Sequence, residues 1–282
     1  MNILHTTVEI GLEKPFRALH ISDNHISFAD ERDTQRKRDL AASRRTGFDG
    51  DNHNTTRVLQ EQLDYAEKNG LFLLHTGDLT DFVSYANLDY AKAALADTDY
   101  FMAVGNHEFS LYVGEAFEDV HYKMQSYDLV QAHFKNNLLF DSRILGGINF
   151  VAVDDGYYRF DKDQLARMKQ EIEKGLPIVL MMHNPLFTPD LHQALLDMGN
   201  SCGYCTGAPE AFMTNYDDYR YRQQKPDEDT LAFMNYIYSQ PLIKCVLAGH
   251  MHYDFDTRLP SGIMQYVTGA GYRECAREIT FL

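Results

Sequence analysis

The chain has 282 residues, enough for one large or two ordinary domains with a substantial core, and at 44% hydrophobic and 24% charged its composition is globular. Its 41 acidic against 26 basic residues give a formal charge of −15, which argues against a general nucleic-acid or membrane-surface binder, since either needs an outward basic field. No run approaches about 18 uninterrupted apolar residues, and residues 1–10 carry His5 and Glu9 instead of a signal-type apolar stretch, so no membrane partner and a cytoplasmic location are expected.

In chain order, residues 16–22 read as a short strand that ends at Asp23-Asn24-His25. A polar segment, 29–52, follows and holds Arg32, Arg36, Lys37, Arg38, Arg44 and Arg45, the main basic cluster of an acidic chain. It reads as a flap. His53, after Asp49 and Asp51, reads as part of a polar loop. Residues 54–69 begin with a cap-type Asn, carry Val58, Leu59, Leu63 and Ala66 on one stripe and stop at Gly70, which predicts a helix. Strands are predicted over 71–76, ending at Gly77-Asp78-Leu79-Thr80-Asp81, and over 100–104, ending at Gly105-Asn106-His107-Glu108.

Residues 138–143 and 148–153 flank Gly146-Gly147 as a hairpin, and Asp161 with Gln164 forms a capping-box signature for a helix that Gly175 ends. A strand over 178–182 ends at His183, and a tyrosine-rich insertion spans 185–229. Residues 230–239 look helical, and a last strand over 243–248 ends at Gly249-His250-Met251-His252. Crossover helices mixed with a hairpin imply mixed sheets, and no repeat or composition break divides residues 1–282, so a single domain is expected.

Each donor run falls where a strand gives way to a loop, and open α/β sheets bind ligands beyond the carboxyl ends of their strands. Five of the twelve histidines lie inside these runs. Oxygen and imidazole donors without thiolates suit Mn²⁺, Fe or Zn²⁺. His20 and His75 read as side chains within the sheet. The four cysteines are too few and scattered for a disulfide framework, and Cys202-Gly203-Tyr204-Cys205 reads first as reduced thiols in a loop.

The ordered set D-x-H, G-D-x-x-D, G-N-H-E, a single His and G-H-x-H, from position 23 to position 252, resembles that of the calcineurin-like metallophosphoesterase superfamily. The resemblance implies a four-layer α/β/β/α sandwich of two mixed β-sheets with the metal site at the loop-bearing edge. It also implies two divalent cations, one on Asp23, His25, Asp78 and His252, the other on Asp78, Asn106, His183 and His250, with Asp78 shared. Two cations against two carboxylates leave a site of formal charge about +2, which attracts phosphate. A hydroxide bridging the cations would attack phosphorus, Asn106 and His107 would meet the phosphoryl group, His107 would protonate the leaving oxygen, and Asp81 would orient His107.

The expected partner is a small-molecule phosphate ester, with a nucleotide conceivable because tyrosines of the insertion can stack on a base. Arg36 and Arg38 of the flap are candidates to grip a second phosphate, set against the plainer reading of a solvated loop. Two other functions compete. A non-catalytic scaffold on the same fold would lack ligands, and none is missing here; a nuclease would want a broad basic face, which the charge denies.

Overall fold

Strand side chains in this fold alternate between two apolar surroundings, as sheets buried on both faces require. The computed structural model describes residues 1–50, 54–113 and 118–282. Among the described residues, β1 (Asn2–Val8), β2 (Phe16–Ile21), β3 (Phe72–His75) and β4 (Tyr100–Met102) build a first sheet with the last strand of the chain. A second sheet takes β5 (Phe140–Leu145), β6 (Ile148–Val153), β7 (Ile178–Met181), β8 (Ile243–Ala248), β9 (Phe255–Arg258) and β10 (Met264–Val267). The closing strand, β11 (Cys275–Phe281), inserts between β1 and β2, giving the orders β1-β11-β2-β3-β4 and β5-β6-β7-β8-β10-β9. β2, β3 and β4 are parallel to one another, as are β6, β7, β8 and β10, while β11 against β2, β5 against β6 and β9 against β10 are antiparallel.

The helices are α1 (Gln35–Phe48), α2 (Asn54–Asn69), α3 (Tyr85–Ala94), the short α4 (Val120–Met124) and α5 (Tyr127–Gln131), then α6 (Lys162–Glu173), α7 (Pro189–Asp197), α8 (Asp218–Gln224) and α9 (Glu228–Tyr238). Among the described residues, no helix is long and apolar enough to cross a membrane.

Three apolar clusters define the layers. Ala18, Leu74, Phe101, Phe150, Val179, Leu247 and Phe281 meet between the sheets. Leu19, Ile21, Leu73 and Met102, from the opposite faces of the same strands, pack on Leu59, Leu63 and Ala66 of α2 and on Leu88 and Ala91 of α3. Val151, Leu180 and Val246 pack likewise on Met168 of α6, Leu191 and Leu195 of α7, and Phe233 and Ile237 of α9. This is the expected four-layer α/β/β/α sandwich with two mixed sheets. In β8 the alternation slips: Ile178 pairs with Ile243 but Val179 pairs with Cys245, so Lys244 is an extra, bulged residue that lets Cys245 and Leu247 face the other sheet.

Local expectations are met closely. The helix over 54–69 has the predicted bounds, Asp161 and Gln164 form a complete capping box, and Gly146 and Gly147 turn the β5–β6 hairpin at φ of 56° and 85°, the left-handed pair a two-residue hairpin turn requires. Residues 35–48 of the expected flap are helical as α1, capped by Thr34, rather than a loop. The end of the flap at 51 and 52, and the polar-loop reading of His53, lie outside the described residues. The insertion at 185–229 carries α7 and α8.

Candidate metal centre

The carboxyl ends of β2, β3, β4, β7 and β8 all open onto one edge, and backbone hydrogen bonds tie the loops that leave them. Asp23 N–H donates to Gly77 O at 2.9 Å and His25 N–H to Asp78 O at 2.9 Å. Gly249 N–H donates to His183 O at 3.0 Å, and across the two sheets His250 N–H donates to Asp23 Oδ2 at 2.9 Å. Glu108 accepts from the N–H groups of Asp78, Thr80 and Gly105 at 2.9, 3.0 and 2.8 Å, which clamps the β3 and β4 loops together. Asp155 does the same for the β7 loop, accepting from His183 N at 2.9 Å and Asn184 N at 3.1 Å.

These ties hold the chain in an unfavourable shape. Asp23, His25, Asp78, His250 and His252 all sit at positive φ, between 52° and 68°, where side-chain-bearing residues are uncommon. Such strain persists only where surrounding structure over-determines it, and here it falls on five of the seven residues expected to bind metal. Gly105 and Gly249 have the opposite role: a Cβ at either would strike Asp78 Oδ1 or Ser22 Oγ, so only glycine lets the loops close this tightly.

The donors converge in two sets. In the first, His252 Nε2 lies 3.4 Å and His25 Nε2 3.8 Å from Asp23 Oδ1, and the two Nε2 atoms are 3.0 Å apart. In the second, His183 Nε2 lies 3.1 Å from Asp78 Oδ2 and 3.1 Å from His250 Nδ1. Asp78 Oδ2 is also 3.8 Å from His25 Nε2, so it stands between the sets. Two donors each about 2.1 Å from a cation lie about 3.0 to 3.4 Å apart at octahedral or tetrahedral angles; the separations of 3.0, 3.1 and 3.4 Å match this, and the two of 3.8 Å made by His25 are wider. Asp23 Oδ1 and Asn106 Oδ1 are buried without a hydrogen-bond partner, as ligand atoms awaiting a cation are.

The far nitrogens of the imidazoles are all engaged. His25 Nδ1 donates to Asp81 Oδ1 at 2.9 Å and His183 Nδ1 to Thr76 O at 2.6 Å; both partners only accept, so Nδ1 of each ring carries a proton and Nε2 is the nitrogen turned to the centre. His250 Nε2 meets Tyr158 OH at 2.8 Å and His252 Nδ1 meets Tyr272 OH at 3.0 Å. His107 Nδ1 donates to Asp81 O at 2.7 Å, leaving Nε2 4.0 Å from Asp78 Oδ2 and facing the cleft.

The protein's own charges respond to this crowding. Burial works against the charged form of His107, but the Asp78 and Asp81 carboxylates prevail and raise it to about 10. Asp78 is buried too, yet His183 and His107 hold it well below the usual carboxylate range. Cations at Asp78 would cancel the field that raises His107 and return it towards ordinary imidazole behaviour. Burial lowers both sheet histidines, His75 to about 4, and each is tied to a neighbour: His20 Nε2 to Thr76 Oγ1 at 2.8 Å, His75 Nε2 to Asn24 Oδ1 at 3.0 Å.

Arg36 and Arg38 are not brought to this site. The Arg36 guanidinium lies over the Tyr112 ring at 4.1 Å, and Arg38 bonds Asp30 O, Asp33 O and Gln35 Oε1 beside the start of its own helix. The flap residues at the centre are Arg44 and Phe48. Arg44 donates to Asp81 through Nε at 2.6 Å and Nη2 at 2.8 Å, and the Phe48 ring stacks on His25 at 4.4 Å with planes 5° apart. Along α1, Lys37, Ala41, Arg44 and Phe48 form the i, i+4, i+7, i+11 stripe that faces the body, and Arg36 and Arg38 lie off it. Tyr158, Tyr272, Arg44 and Phe48 thus join a site that motif spacing alone does not include.

A cleft of about 460 Å³ opens beside the donors, with Asp78, His107, His250 and His252 on one side and Arg273 at its exposed rim. A family profile described as calcineurin-like phosphoesterase matches residues 16–254. The chain belongs to the calcineurin-like phosphoesterase family. Membership makes it a metallophosphoesterase, a hydrolase of phosphoric ester bonds. Among solved structures it is similar to a dimetal phosphatase from Danio rerio (12% identity, TM-score 0.50, 91% of this chain and 88% of that one). It is also similar to a purple acid phosphatase from yellow lupin seeds (15% identity, TM-score 0.55, covering 93% and 45%) and to a putative 5′-nucleotidase from Staphylococcus aureus (12% identity, TM-score 0.51, covering 95% and 51%). The metallophosphoesterase spans about half the length of the lupin and staphylococcal chains. No curated protein matches it.

Proposed function

We propose that this metallophosphoesterase hydrolyses a phosphomonoester or phosphodiester of a small molecule with two divalent cations, Mn²⁺, Fe or Zn²⁺, held side by side. Asp23, His25, Asp78 and His252 would hold one, and Asp78, Asn106, His183 and His250 the other, within one domain spanning the chain. The observation that carries this reading is the meeting of two donor sets at Asp78 Oδ2, with imidazole nitrogens turned inward and two orphaned ligand oxygens. The names of the fold relatives, a dimetal phosphatase and a putative 5′-nucleotidase, accord with it.

Bound cations supply Lewis-acid polarisation of phosphoryl oxygens and an acidified water for attack. The remaining work belongs to side chains. Asn106 and His107 meet the phosphoryl group, and His107 Nε2, fixed in direction by the Nδ1 bond to Asp81 O, delivers a proton to the leaving oxygen. Asp81 orients His25 and His107 together, since both Nδ1 atoms lie within 3.1 Å of its Oδ1.

Metal analysis combined with hydrolysis of nitrophenyl phosphate and bis-(nitrophenyl) phosphate tests the reading. Two cations per chain with metal-dependent release of nitrophenol are expected. A chain that binds no metal, or stays inert on both esters when loaded with Mn²⁺, would instead be a scaffold on this fold.

A further inference from the structure

Cys202-Gly203-Tyr204-Cys205 is a sequence motif that the metal centre does not use, yet it stands over the cleft. Both cysteines are buried and reduced. Gln224 Nε2 reaches Cys202 Sγ at 3.3 Å, and Cys205 Sγ donates to Gly203 O at 2.9 Å. Gly203 N–H donates to Tyr216 OH at 2.7 Å, and a Cβ at Gly203 would collide with the His192 ring. Beyond the turn, Thr206 N–H donates to Pro185 O at 2.9 Å and its hydroxyl to Asp155 Oδ2 at 2.8 Å. A turn anchored on both sides holds Tyr204 at φ of 45°, a strained shape for a residue with a side chain. Its ring lies 5.9 Å from that of His250, with the Arg220 guanidinium 5.0 Å from the ring centre. The thiols therefore act as packing anchors that present a tyrosine to the site.

The cleft beside the centre, about 460 Å³, is of small-molecule size and much larger than a phosphoryl group fills. Away from the donors its wall is Leu195, Met198, Tyr204, Met251 and Tyr253, and Asn200 is the one uncharged amide among them. Asn200, Arg273 at the rim and the Tyr204 hydroxyl can meet polar groups of a ligand, while Leu195, Met198, Met251 and the tyrosine rings leave apolar area that hydroxyls alone would cover at a cost. A flat apolar ring loses nothing there and gains aromatic contact.

We propose that this wall is a leaving-group subsite for an alcohol that carries a flat ring, a nucleoside or an aryl alcohol, with Tyr204 as its main contact. The inference rests on the hydrolytic reading above and names the substrate class of the same site.

The test is competition against bis-(nitrophenyl) phosphate with the metal-loaded protein, comparing adenosine 5′-monophosphate with ribose 5-phosphate, which share the phosphoryl and sugar groups and differ in the ring. The expected inhibition constant is about tenfold lower for the ring-bearing ester. Tyr204→Ala should remove that difference while metal content and inhibition by ribose 5-phosphate stay unchanged, and Tyr204→Phe should keep it. Because Tyr204 sits in a strained turn, Met198→Glu offers a second route: Met198 is 59% exposed, so the change places a charge on the wall without disturbing the core. It should weaken the ring-bearing ester about tenfold. Equal inhibition by the two esters in the wild-type protein, or equal loss for both in the Tyr204 and Met198 variants, overturns the subsite and leaves the hydrolytic reading standing. Absence of metal binding and of nitrophenol release removes both.

Discussion

The flap helix α1 and the insertion at 185–229 both border the centre, and they meet it in different ways. α1 reaches the proposed metal ligands from behind: Arg44 is paired with Asp81, and Phe48 is stacked on His25. The insertion reaches the cleft from the front and places Tyr204 beside His250. One segment stiffens the chemistry and the other shapes what is admitted to it. A change in α1 should therefore act on every substrate alike, whereas a change in the insertion should act on choice among substrates.

The largest effects belong to the centre that both segments serve. Asp78→Ala should abolish paired metal occupancy and turnover. His107→Ala should keep both metals and lose about 10²- to 10⁴-fold in kcat, read by metal analysis and nitrophenol release. Wild-type rates in the His107 variant would remove its role as proton donor.

Next comes the flap. Arg44→Gln leaves Asp81 buried with its cationic partner gone, so orientation of His25 and His107 should loosen and metal affinity fall about 10- to 100-fold, measured by calorimetric titration with Mn²⁺. The loss should be the same whichever ester is assayed. A change in ester preference instead would blur the division between α1 and the insertion.

Beneath both segments, His75 sets an acid limit on stability. Burial keeps its ring neutral with a pKa of about 4 in the fold, against about 6.5 when unfolded, so unfolding takes up a proton on acidification. The contribution is fully present above pH 6.5 and is lost as pH falls towards 4, by roughly 3 kcal/mol at most. Denaturant midpoints across that range should fall less steeply in His75→Gln. The smallest effect expected is at Arg36: with its guanidinium over Tyr112 and off the inward stripe of α1, Arg36→Ala should change kcat/KM by no more than about twofold. A larger loss confined to polyphosphorylated substrates would restore it as a phosphate grip.

The parts legible in the sequence are those where local pattern and local geometry coincide. A strand that ends in Gly-Asp or Gly-His announces both the turn and the side chain that the turn carries to the centre, and the helix over 54–69 and the hairpin at Gly146-Gly147 carry their own caps and turn residues. The contacts of α1 are hidden for a physical reason: its inward stripe mixes Lys37, Ala41, Arg44 and Phe48, so no apolar periodicity reveals which arginines face the body. Tyr158 and Tyr272 are hidden because each is defined by a partner, His250 and His252, from another part of the chain. β11 is hidden likewise, its place beside β1 and β2 depending on pairing with residues more than 250 positions earlier.

Metal stoichiometry is the most direct test of paired cations meeting at Asp78. Equilibrium titration with Mn²⁺, followed by elemental analysis of the wild-type and Asp78→Ala proteins, should give two ions per chain in the former and fewer than two in the latter. A single ion in the wild-type protein at saturating Mn²⁺, with full hydrolysis of nitrophenyl esters, would contradict it.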